Sequence, residues 1–344
     1  MSSNDELNVG LVGLGRFGRL HARILNSLAG VRLACVADPD EAARSWASLS
    51  LNAGSVVGSP EEVFATTGLD AIFIVSPEQF HTDQALAALN LGIPIFMEKP
   101  LSTSLEGARS IVAKASATET FVQIGFVLRF ESQHAIVREQ VAAGRMGDLA
   151  VFRAKRNCSR DWFPSYGDRA HIVYETMIHD IDLLLWFTQS RAKAVYAVAR
   201  STTGHMNPDV VLATFQMESG AVAHLETSWL IPGQLERNVA AGDWVGTIDA
   251  EFELIGTSAT ARYRLLDSGL SIASDETIHN PEVALWPDVH GSIGGALRAE
   301  DEHFLESVRS GRPSTIASLD QALHGLELAD AVVRSGESGA EVRF

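Results

Sequence analysis

The sequence predicts an α/β protein of two domains, the first with a parallel sheet and the second with a mostly antiparallel sheet. From residue 7 to residue 125, short apolar runs alternate with longer segments of helical period, which is typical of parallel strands joined by crossover helices. Later in the chain the strands become longer and alternate in polarity, and Ser219-Gly220 separates two of them as a hairpin turn would. A chain of 344 residues also exceeds the usual size of one hydrophobic core. We therefore expect domains at residues 1–125 and 126–344.

The individual elements follow from the same patterns. In the first domain we expect strands at residues 8–12, 31–37, 70–75, 94–97 and 120–124. Helices are expected to begin between these strands, near Phe17, Pro39, Pro60, Glu78 and Thr103. In the second domain the expected strands are residues 209–218, 221–230, 248–255 and 260–266. Its expected helices are residues 132–143, 172–187, 299–310 and 319–334.

Composition excludes several classes of function. The formal net charge of −16 disfavours nucleic acid and anionic membrane surfaces as partners, since both normally require a basic patch. The two cysteines, Cys35 and Cys158, lack the short spacing of a zinc or redox site, so we expect no metal and no disulfide framework. The first residues do not resemble a signal peptide, and no apolar stretch approaches the roughly 20 residues of a membrane span. A cytoplasmic protein is expected.

A glycine-rich turn follows the first strand directly. Gly13, Gly15 and Gly18, with Arg16 and Phe17 between the last two, have the spacing of a dinucleotide-binding turn that opens a helix. Such glycines allow a tight turn, the approach of a pyrophosphate and close packing of helix on strand. Helix N-terminal amides would supply the positive field that an acidic chain lacks. The alternative is a glycine-rich turn that binds nothing.

Asp38 ends the second expected strand, where a carboxylate can accept hydrogen bonds from an adenosine ribose. The same carboxylate would repel a 2′-phosphate, and neither Pro39 nor Asp40 offers a basic side chain. The sequence therefore favours NAD over NADP. Alternatively, Asp38 caps the helix that follows.

Two further segments contain groups suited to proton transfer. Lys99 lies just after an apolar strand, at the sheet edge where α/β sites are found, and could stabilise an alkoxide. On the helix expected over residues 172–187, helical spacing places Glu175, His179 and Asp182 along one face. His179 could act as general base, with a carboxylate fixing its tautomer. The alternatives are a surface lysine and a core histidine paired with a carboxylate.

These motifs together resemble a known family, named after glucose-fructose oxidoreductase, inositol dehydrogenase and the rhizopine catabolism protein. The resemblance covers nearly the whole chain and rests on the ordered set of the glycine turn, Asp38, Ser76-Pro77 with His81, Glu98-Lys99-Pro100 and the helix bearing His179. It implies an N-terminal Rossmann domain and a C-terminal α+β domain whose large open sheet forms subunit contacts. A homodimer or homotetramer is therefore expected.

The resemblance also implies roles for individual residues. It makes Lys99 the catalytic lysine and His179 the acid/base residue, and it places Gln123 near the nicotinamide and Arg129 on the substrate side. Inositol dehydrogenases of this family carry an Asp four residues before the catalytic His, whereas this chain has Glu175. Glu175 keeps the charge but extends its reach, so it could orient His179, bind a hydroxyl or mark another substrate. The glycines that often precede this motif are also replaced here, in residues 170–174.

A polar and aromatic loop over residues 157–171 is suited to sugar hydroxyls and ring faces. It contains Arg160, Trp162 and Tyr166, which we expect to bind substrate, although an ordinary surface connection explains the same composition.

From these observations we expect an NAD-dependent dehydrogenase that oxidises a secondary ring hydroxyl of a cyclic polyol or sugar. The substrate would lie between the domains, with Lys99, Glu175 and His179 as the catalytic residues. Relatives in the family leave two alternatives open: an NAD-dependent glycosidase that works by transient oxidation, and a non-catalytic sugar or NAD sensor.

Overall fold

The structure is a computed structural model that describes residues 6–232, 238–241, 244–266, 269–273 and 278–344. Its contacts divide the chain into two compact units. The first unit runs up to Phe130 and includes Leu285–Leu323, and the second comprises Glu131–Ala284 and His324–Phe344.

The helices, in chain order, are α1 (Arg16–Ser27), α2 (Glu41–Ser50), α3 (Pro60–Phe64), α4 (His81–Leu89), α5 (Leu105–Thr118), α6 (Ser132–Ala142), α7 (Ile178–Thr188), α8 (Gly295–Ser310) and α9 (Leu319–Ser338). The strands are β1 (Leu7–Val12), β2 (Val31–Ala37), β3 (Val56–Val57), β4 (Ala71–Ile74), β5 (Ile95–Glu98), β6 (Val122–Gly125), β7 (Leu149–Ser159), β8 (Ala192–Arg200), β9 (Val210–Met217), β10 (Val222–Ile231), β11 (Val239–Ala241), β12 (Trp244–Gly246), β13 (Ile248–Gly256), β14 (Thr260–Arg264), β15 (Ile272–Ala273), β16 (Ile278–His279), β17 (Asp288–Val289), β18 (Ser292–Ile293) and β19 (Val342–Arg343).

The first unit is built on a six-stranded sheet in the order β3-β2-β1-β4-β5-β6. All its strand pairs are parallel, as the sequence predicted. The strand order reverses direction between β1 and β4, and ligands of doubly wound sheets bind at the carboxyl ends of the strands near such a point. The residues that follow β1, β2, β4, β5 and β6 therefore share one edge of this sheet.

A segment from late in the chain, Leu285–Leu323, completes the first unit. The ring of Phe304 on α8 lies 5.2 Å from that of Phe73 and 5.8 Å from that of Phe96, both on the central strands. Leu305 joins the same buried cluster. The unit boundary thus differs from the division expected at residues 125 and 126, because burial of these two α8 side chains ties residues 285–323 to the first sheet.

The second unit contains a seven-stranded sheet in the order β14-β13-β7-β10-β9-β8-β19. Its pairs are antiparallel except for β7 and β10, which confirms the mostly antiparallel sheet. The expected hairpin joins β9 to β10, and Gly220 adopts φ +92° in its turn, a conformation that side-chain-bearing residues rarely adopt. No helix in the described parts of the chain is long and apolar enough to span a bilayer.

The helix expected over residues 172–187 differs from the prediction. It begins with a π-helical turn, Val173–Met177, and becomes α-helical only with α7 at Ile178. Single π-turns of this kind are rare in proteins overall, and those that occur are often found at functional sites. Glu175 therefore lies in a widened turn and His179 in the first turn of α7, so regular α-helical spacing does not describe their relation.

Candidate active site

The glycine turn after β1 has the geometry that a dinucleotide requires. Gly13 adopts φ +100°, and a Cβ there would lie 2.6 Å from the carbonyl oxygen of Val75. A Cβ at Gly18 would overlap the Gly13 carbonyl, whereas a Cβ at Gly15 would have no neighbour within 4 Å. The turn is thus closely packed at the first and third glycines and open at the second, where a pyrophosphate would approach the backbone. These residues fit NAD.

The start of α1 continues this open surface. Gly15 is the N-cap residue and supplies no side-chain cap to the first amides, and both Gly15 and Arg16 are exposed. Phe17 is partly buried, with its ring packed edge-on against Trp286 at 5.2 Å. Uncapped amides at a helix start favour a bound phosphate.

Asp38 contacts the glycine turn and the residue that caps the following helix, but it does not cap that helix itself. Its carboxylate accepts hydrogen bonds from the Leu14 amide at 2.7 Å and the Asp40 amide at 2.8 Å. The cap of α2 is Asp40, which accepts from the amides of Ala42 and Ala43. The alternative of Asp38 as a helix cap is therefore wrong, and the carboxylate lies beside the turn where a ribose would bind.

A basic residue lies close to Asp38, although neither of the two residues that directly follow Asp38 is basic. The Arg44 guanidinium donates to the carbonyl oxygens of Asp38 at 2.9 Å and Pro39 at 2.7 Å. Arg44 lies one helical turn into α2, beyond the two residues after Asp38 to which the prediction was confined. A cation thus accompanies the carboxylate on which the NAD prediction rests.

His81 connects the loops after β4 and β5. Its ring nitrogens lie 2.9 Å from the Ser76 carbonyl oxygen and 2.7 Å from the Pro100 carbonyl oxygen, and its side chain is buried. Burial lowers the pKa of His81, which favours the neutral ring. The Ser76 hydroxyl donates to Gln84 at 2.6 Å, and Pro77 precedes a short 3-10 turn. These contacts favour a positioning role for His81, since both nitrogens face backbone.

Glu98 ends β5 and is buried beside Lys99. One oxygen accepts from the Lys99 amide at 3.1 Å and the other lies 3.2 Å from Nε2 of His21. Nδ1 of His21 lies 2.8 Å from Asp301 on α8. The side chain of Lys99 is partly buried, at the same sheet edge as the glycine turn. No local pattern indicates the His21 contacts, because Asp301 lies 280 residues away along the chain.

Two other residues expected at the site are fully enclosed in the first unit. Gln123 on β6 has no exposed surface, and neither its amide nitrogen nor its oxygen has a hydrogen-bond partner in the structure. Arg129 is buried and donates to the Ile316 carbonyl oxygen and, at 2.6 Å, to the Gln321 side chain. Arg129 therefore anchors the chain at the start of α9. This structural role differs from the substrate contact that the sequence led us to expect.

In the second unit, two buried contacts fix the segment that carries Glu175 and His179, both partly buried themselves. The Trp229 indole nitrogen donates to the Thr176 hydroxyl at 2.7 Å, next to Glu175. Arg156 on β7 donates through Nε and Nη2 to Asp180 at 3.1 and 3.0 Å, next to His179. The π-turn and the start of α7 are thus each tied to the sheet.

The loop expected to bind substrate is structured by an aromatic cluster. Trp162 is buried and donates to the Val245 carbonyl oxygen at 3.1 Å. The Tyr166 ring lies edge-on to Trp229 at 4.9 Å. Arg160 is exposed at the start of the 3-10 turn Arg160–Ser165. Within this unit, Trp162 and Tyr166 pack around Trp229, which braces the π-turn, so an ordinary surface loop does not describe them.

Comparison with known proteins identifies the class. Residues 7–126 match the model of an oxidoreductase family with an NAD-binding Rossmann fold, and residues 134–262 match the GFO/IDH/MocA C-terminal domain. The chain belongs to this family of NAD-dependent oxidoreductases.

Individual relatives narrow the comparison. The chain is 26% identical to the NAD-dependent scyllo-inositol 2-dehydrogenase of Bacillus subtilis over 346 residues, which is 98% of this chain and 96% of that protein. It is 31% identical to inositol 2-dehydrogenase 4 of Saccharopolyspora erythraea over 232 residues, or 65% and 67% of the two chains. The crystal structure of scyllo-inositol dehydrogenase from Lactobacillus casei with bound NAD(H) and scyllo-inositol superposes with a TM-score of 0.82, 22% identity and coverage of 98% and 99%, which shows a shared fold.

Proposed function

We propose that this protein oxidises a secondary ring hydroxyl of a cyclic polyol of the inositol class, using NAD. The observation that carries the proposal lies within the first unit. There, a glycine turn that is open at Gly15 and a lysine, Lys99, occupy the carboxyl ends of β1 and β5, at one edge of one parallel sheet. A nucleotide site and a group able to stabilise an alkoxide thus share this edge.

Each residue has a distinct part in the proposed reaction. NAD, when bound, supplies the hydride acceptor. The His179 imidazole takes the proton from the reacting hydroxyl as general base. The Lys99 ammonium donates a hydrogen bond to the hydroxyl oxygen and stabilises the negative charge that develops there. The Glu175 carboxylate orients His179 and stabilises its protonated ring.

Two observations favour a polyol over other alcohols. Three relatives that the chain matches over 92% or more of its length are inositol dehydrogenases. The chain also retains a carboxylate four residues before His179, although as Glu175 in a π-turn. We propose that the longer side chain changes which inositol, or which ring carbon, is preferred.

A substrate screen tests the function. The protein is incubated with NAD and with scyllo-inositol, myo-inositol, aldoses or glycosides, and both NADH and the sugar products are measured. Accumulation of NADH with an inositol supports the proposal. Cleavage of a glycoside without net NADH would contradict the proposal and indicate an NAD-dependent glycosidase. Binding of sugar or NAD without turnover would indicate a non-catalytic sensor.

We also propose that the second unit's sheet mediates assembly into a homodimer or homotetramer. Its exposed face carries apolar side chains on adjacent strands: Val198 on β8 is 51% exposed and lies in register with Leu212 on β9, which is 36% exposed. Tyr196, 47% exposed, extends this patch. Contiguous exposed apolar surface marks an interface. Light scattering is expected to give a dimer or tetramer, and a monomer at micromolar concentration would contradict it.

We further propose a cytoplasmic location, because Cys35 and Cys158 are both free thiols. Disulfides are rare in that compartment.

A further inference from the structure

A buried ionic cluster lies next to Lys99 in the first unit. His21 on α1 has no exposed surface, and its ring lies 5.2 Å from that of Phe96 and 6.0 Å from that of Phe73. In this apolar surrounding, its Nδ1 faces Asp301 at 2.8 Å and its Nε2 faces Glu98 at 3.2 Å. Asp301 is also fully buried, and Glu98 is 7% exposed. Such a cluster costs free energy unless its charges are paired.

The geometry fits a charged ring. Burial raises the pKa of Asp301, and the facing His21 opposes that rise. When Glu98 and Asp301 are both ionised they only accept hydrogen bonds, so both ring nitrogens of His21 then carry a proton and donate to the two carboxylates. Burial alone would disfavour that charged ring. The two carboxylates outweigh burial and raise the pKa of His21 to about 10. An imidazolium therefore neutralises one of the two buried negative charges.

Glu98 connects this cluster to Lys99. Its Oε2 accepts a hydrogen bond from the Lys99 backbone amide at 3.1 Å, while its Oε1 lies on the His21 side. Gly125 is the register partner of Glu98 on β6, and a Cβ at Gly125 would lie 2.7 Å from Oε1. The absence of a side chain at that position leaves room for the carboxylate in this one orientation.

We propose that His21 is a positioning residue for Lys99, acting through the carboxylate of Glu98. Asp301 holds the imidazolium, the imidazolium holds Glu98, and Glu98 fixes the backbone from which the Lys99 side chain extends. Because His21 belongs to α1, the helix that begins at the glycine turn, the same cluster sets the lysine relative to the nucleotide turn. The kinetic consequence of this inference rests on the proposed function, but the contact itself does not.

The lysine content of the chain permits a direct test without substrate. The sequence has four lysines, Lys99, Lys114, Lys155 and Lys193. Reductive methylation with ¹³C-formaldehyde gives each one a resolvable methyl signal, and Lys99→Arg assigns that of Lys99. The signals are followed with pH in the wild type, His21→Gln and Asp301→Asn. Asp301→Asn keeps the size and an accepting oxygen, so the fold is expected to survive. Leu305→Ala is the matched control, since it removes a buried apolar contact from the same helix α8.

We expect the Lys99 signal to shift and its titration midpoint to change in His21→Gln and Asp301→Asn, while the other three lysine signals stay in place. Leu305→Ala is expected to lower the melting temperature without moving the Lys99 signal. An unmoved Lys99 signal in folded Asp301→Asn would overturn the proposal. So would an equal shift in Leu305→Ala, because that would indicate a general loss of packing.

Kinetics supply the second readout. Asp301→Asn is expected to lower the single-turnover rate of polyol oxidation by roughly 10- to 100-fold, the order of loss that a small misplacement causes, with NADH affinity nearly unchanged. In the Lys99→Met background the same change is expected to cost nothing further. A loss of equal size there would overturn the route through Lys99. If no polyol is oxidised by the wild type, the proposed function fails while the lysine signals still decide this inference.

Discussion

The indole nitrogen of Trp229 donates a 2.7 Å hydrogen bond to the hydroxyl of Thr176. Trp229 lies on β10, and Thr176 directly follows Glu175 in the π-helical turn. Both residues are buried, so this bond holds the widened turn against the seven-stranded sheet. The position of the carboxylate proposed to orient His179 therefore depends on an indole from a distant strand.

Replacing that indole tests the dependence. Trp229→Phe keeps an aromatic ring but removes the donor, so we expect a loss of about 1–2 kcal/mol in the free energy of unfolding and a several-fold lower turnover rate. Ser335→Ala is the control: Ser335 accepts from the Ala197 amide and donates to the Ala340 carbonyl oxygen in the same unit. It is expected to lose similar stability and keep its rate. Equal turnover rates in Trp229→Phe and Ser335→Ala would contradict a role of Trp229 in positioning the proposed site. Urea unfolding and steady-state assays provide both numbers.

The ion pair between Arg156 and Asp180 gives a prediction on stability. Arg156→Met leaves the Asp180 carboxylate buried without its bidentate partner, and we expect a loss of about 3–5 kcal/mol in the free energy of unfolding. Adding Asp180→Leu to Arg156→Met is expected to recover part of it, because no uncompensated charge remains. Urea unfolding of the two variants measures this. A double variant less stable than Arg156→Met would show that the carboxylate is held by other groups.

Cofactor choice depends on Asp38 and on the neighbouring Arg44. The wild type is expected to prefer NAD strongly over NADP, and Asp38→Ser should narrow that gap because the repelling carboxylate is gone while Arg44 remains. Adding Pro39→Arg should narrow it further. Adding Arg44→Met to Asp38→Ser should remove much of the gain. Dissociation constants for NADH and NADPH, measured by fluorescence, test this, and equal binding of both by the wild type would contradict it.

The charge on His21 predicts how stability changes with pH. Its folded-state pKa of about 10 lies above the ordinary value of 6.5, so its contribution to stability is complete below pH 6.5 and is lost as the pH rises through about 10. Asp301 and Glu98 are the charged groups that face the ring. Asp301→Asn removes one of them, so its stability should fall less than that of the wild type between these pH values. Parallel decline of the two proteins in urea unfolding at each pH would contradict this assignment.

Local patterns in the sequence predicted much of the fold and the positions of the proposed site residues of the first unit within it. The glycine turn, Asp38 and Lys99 lie at strand ends, where the alternation of apolar runs placed them, because a parallel sheet buried on both faces leaves a continuous apolar signal. The mostly antiparallel second sheet is also confirmed. Its strands bury every second side chain, and this produces the alternating polarity from which they were predicted.

What the sequence could not show depends on contacts between distant residues. Nothing in the sequence near His21 indicates its contact with Asp301. The burial of Phe304 in the first unit likewise cannot be predicted from the residues next to it in the sequence. The π-turn at Val173–Met177 also escapes, because apolar periodicity does not distinguish one widened turn from a regular helix. The sequence also could not decide whether Asp38 caps α2, because Asp38 and Asp40 are both of a residue type suited to a cap, and only the structure shows that the cap is Asp40.

We propose that Lys99 and His179 act on one hydroxyl in one step. The most direct test is the single-turnover rate of inositol oxidation, with NAD bound in advance, for Lys99→Met, His179→Ala and the double variant. Each single change is expected to lower the rate by roughly 100-fold or more while NADH affinity stays nearly intact, and the double variant is expected to be little worse than the worse single one. An unchanged rate in His179→Ala, or losses that multiply in the double variant, would contradict it.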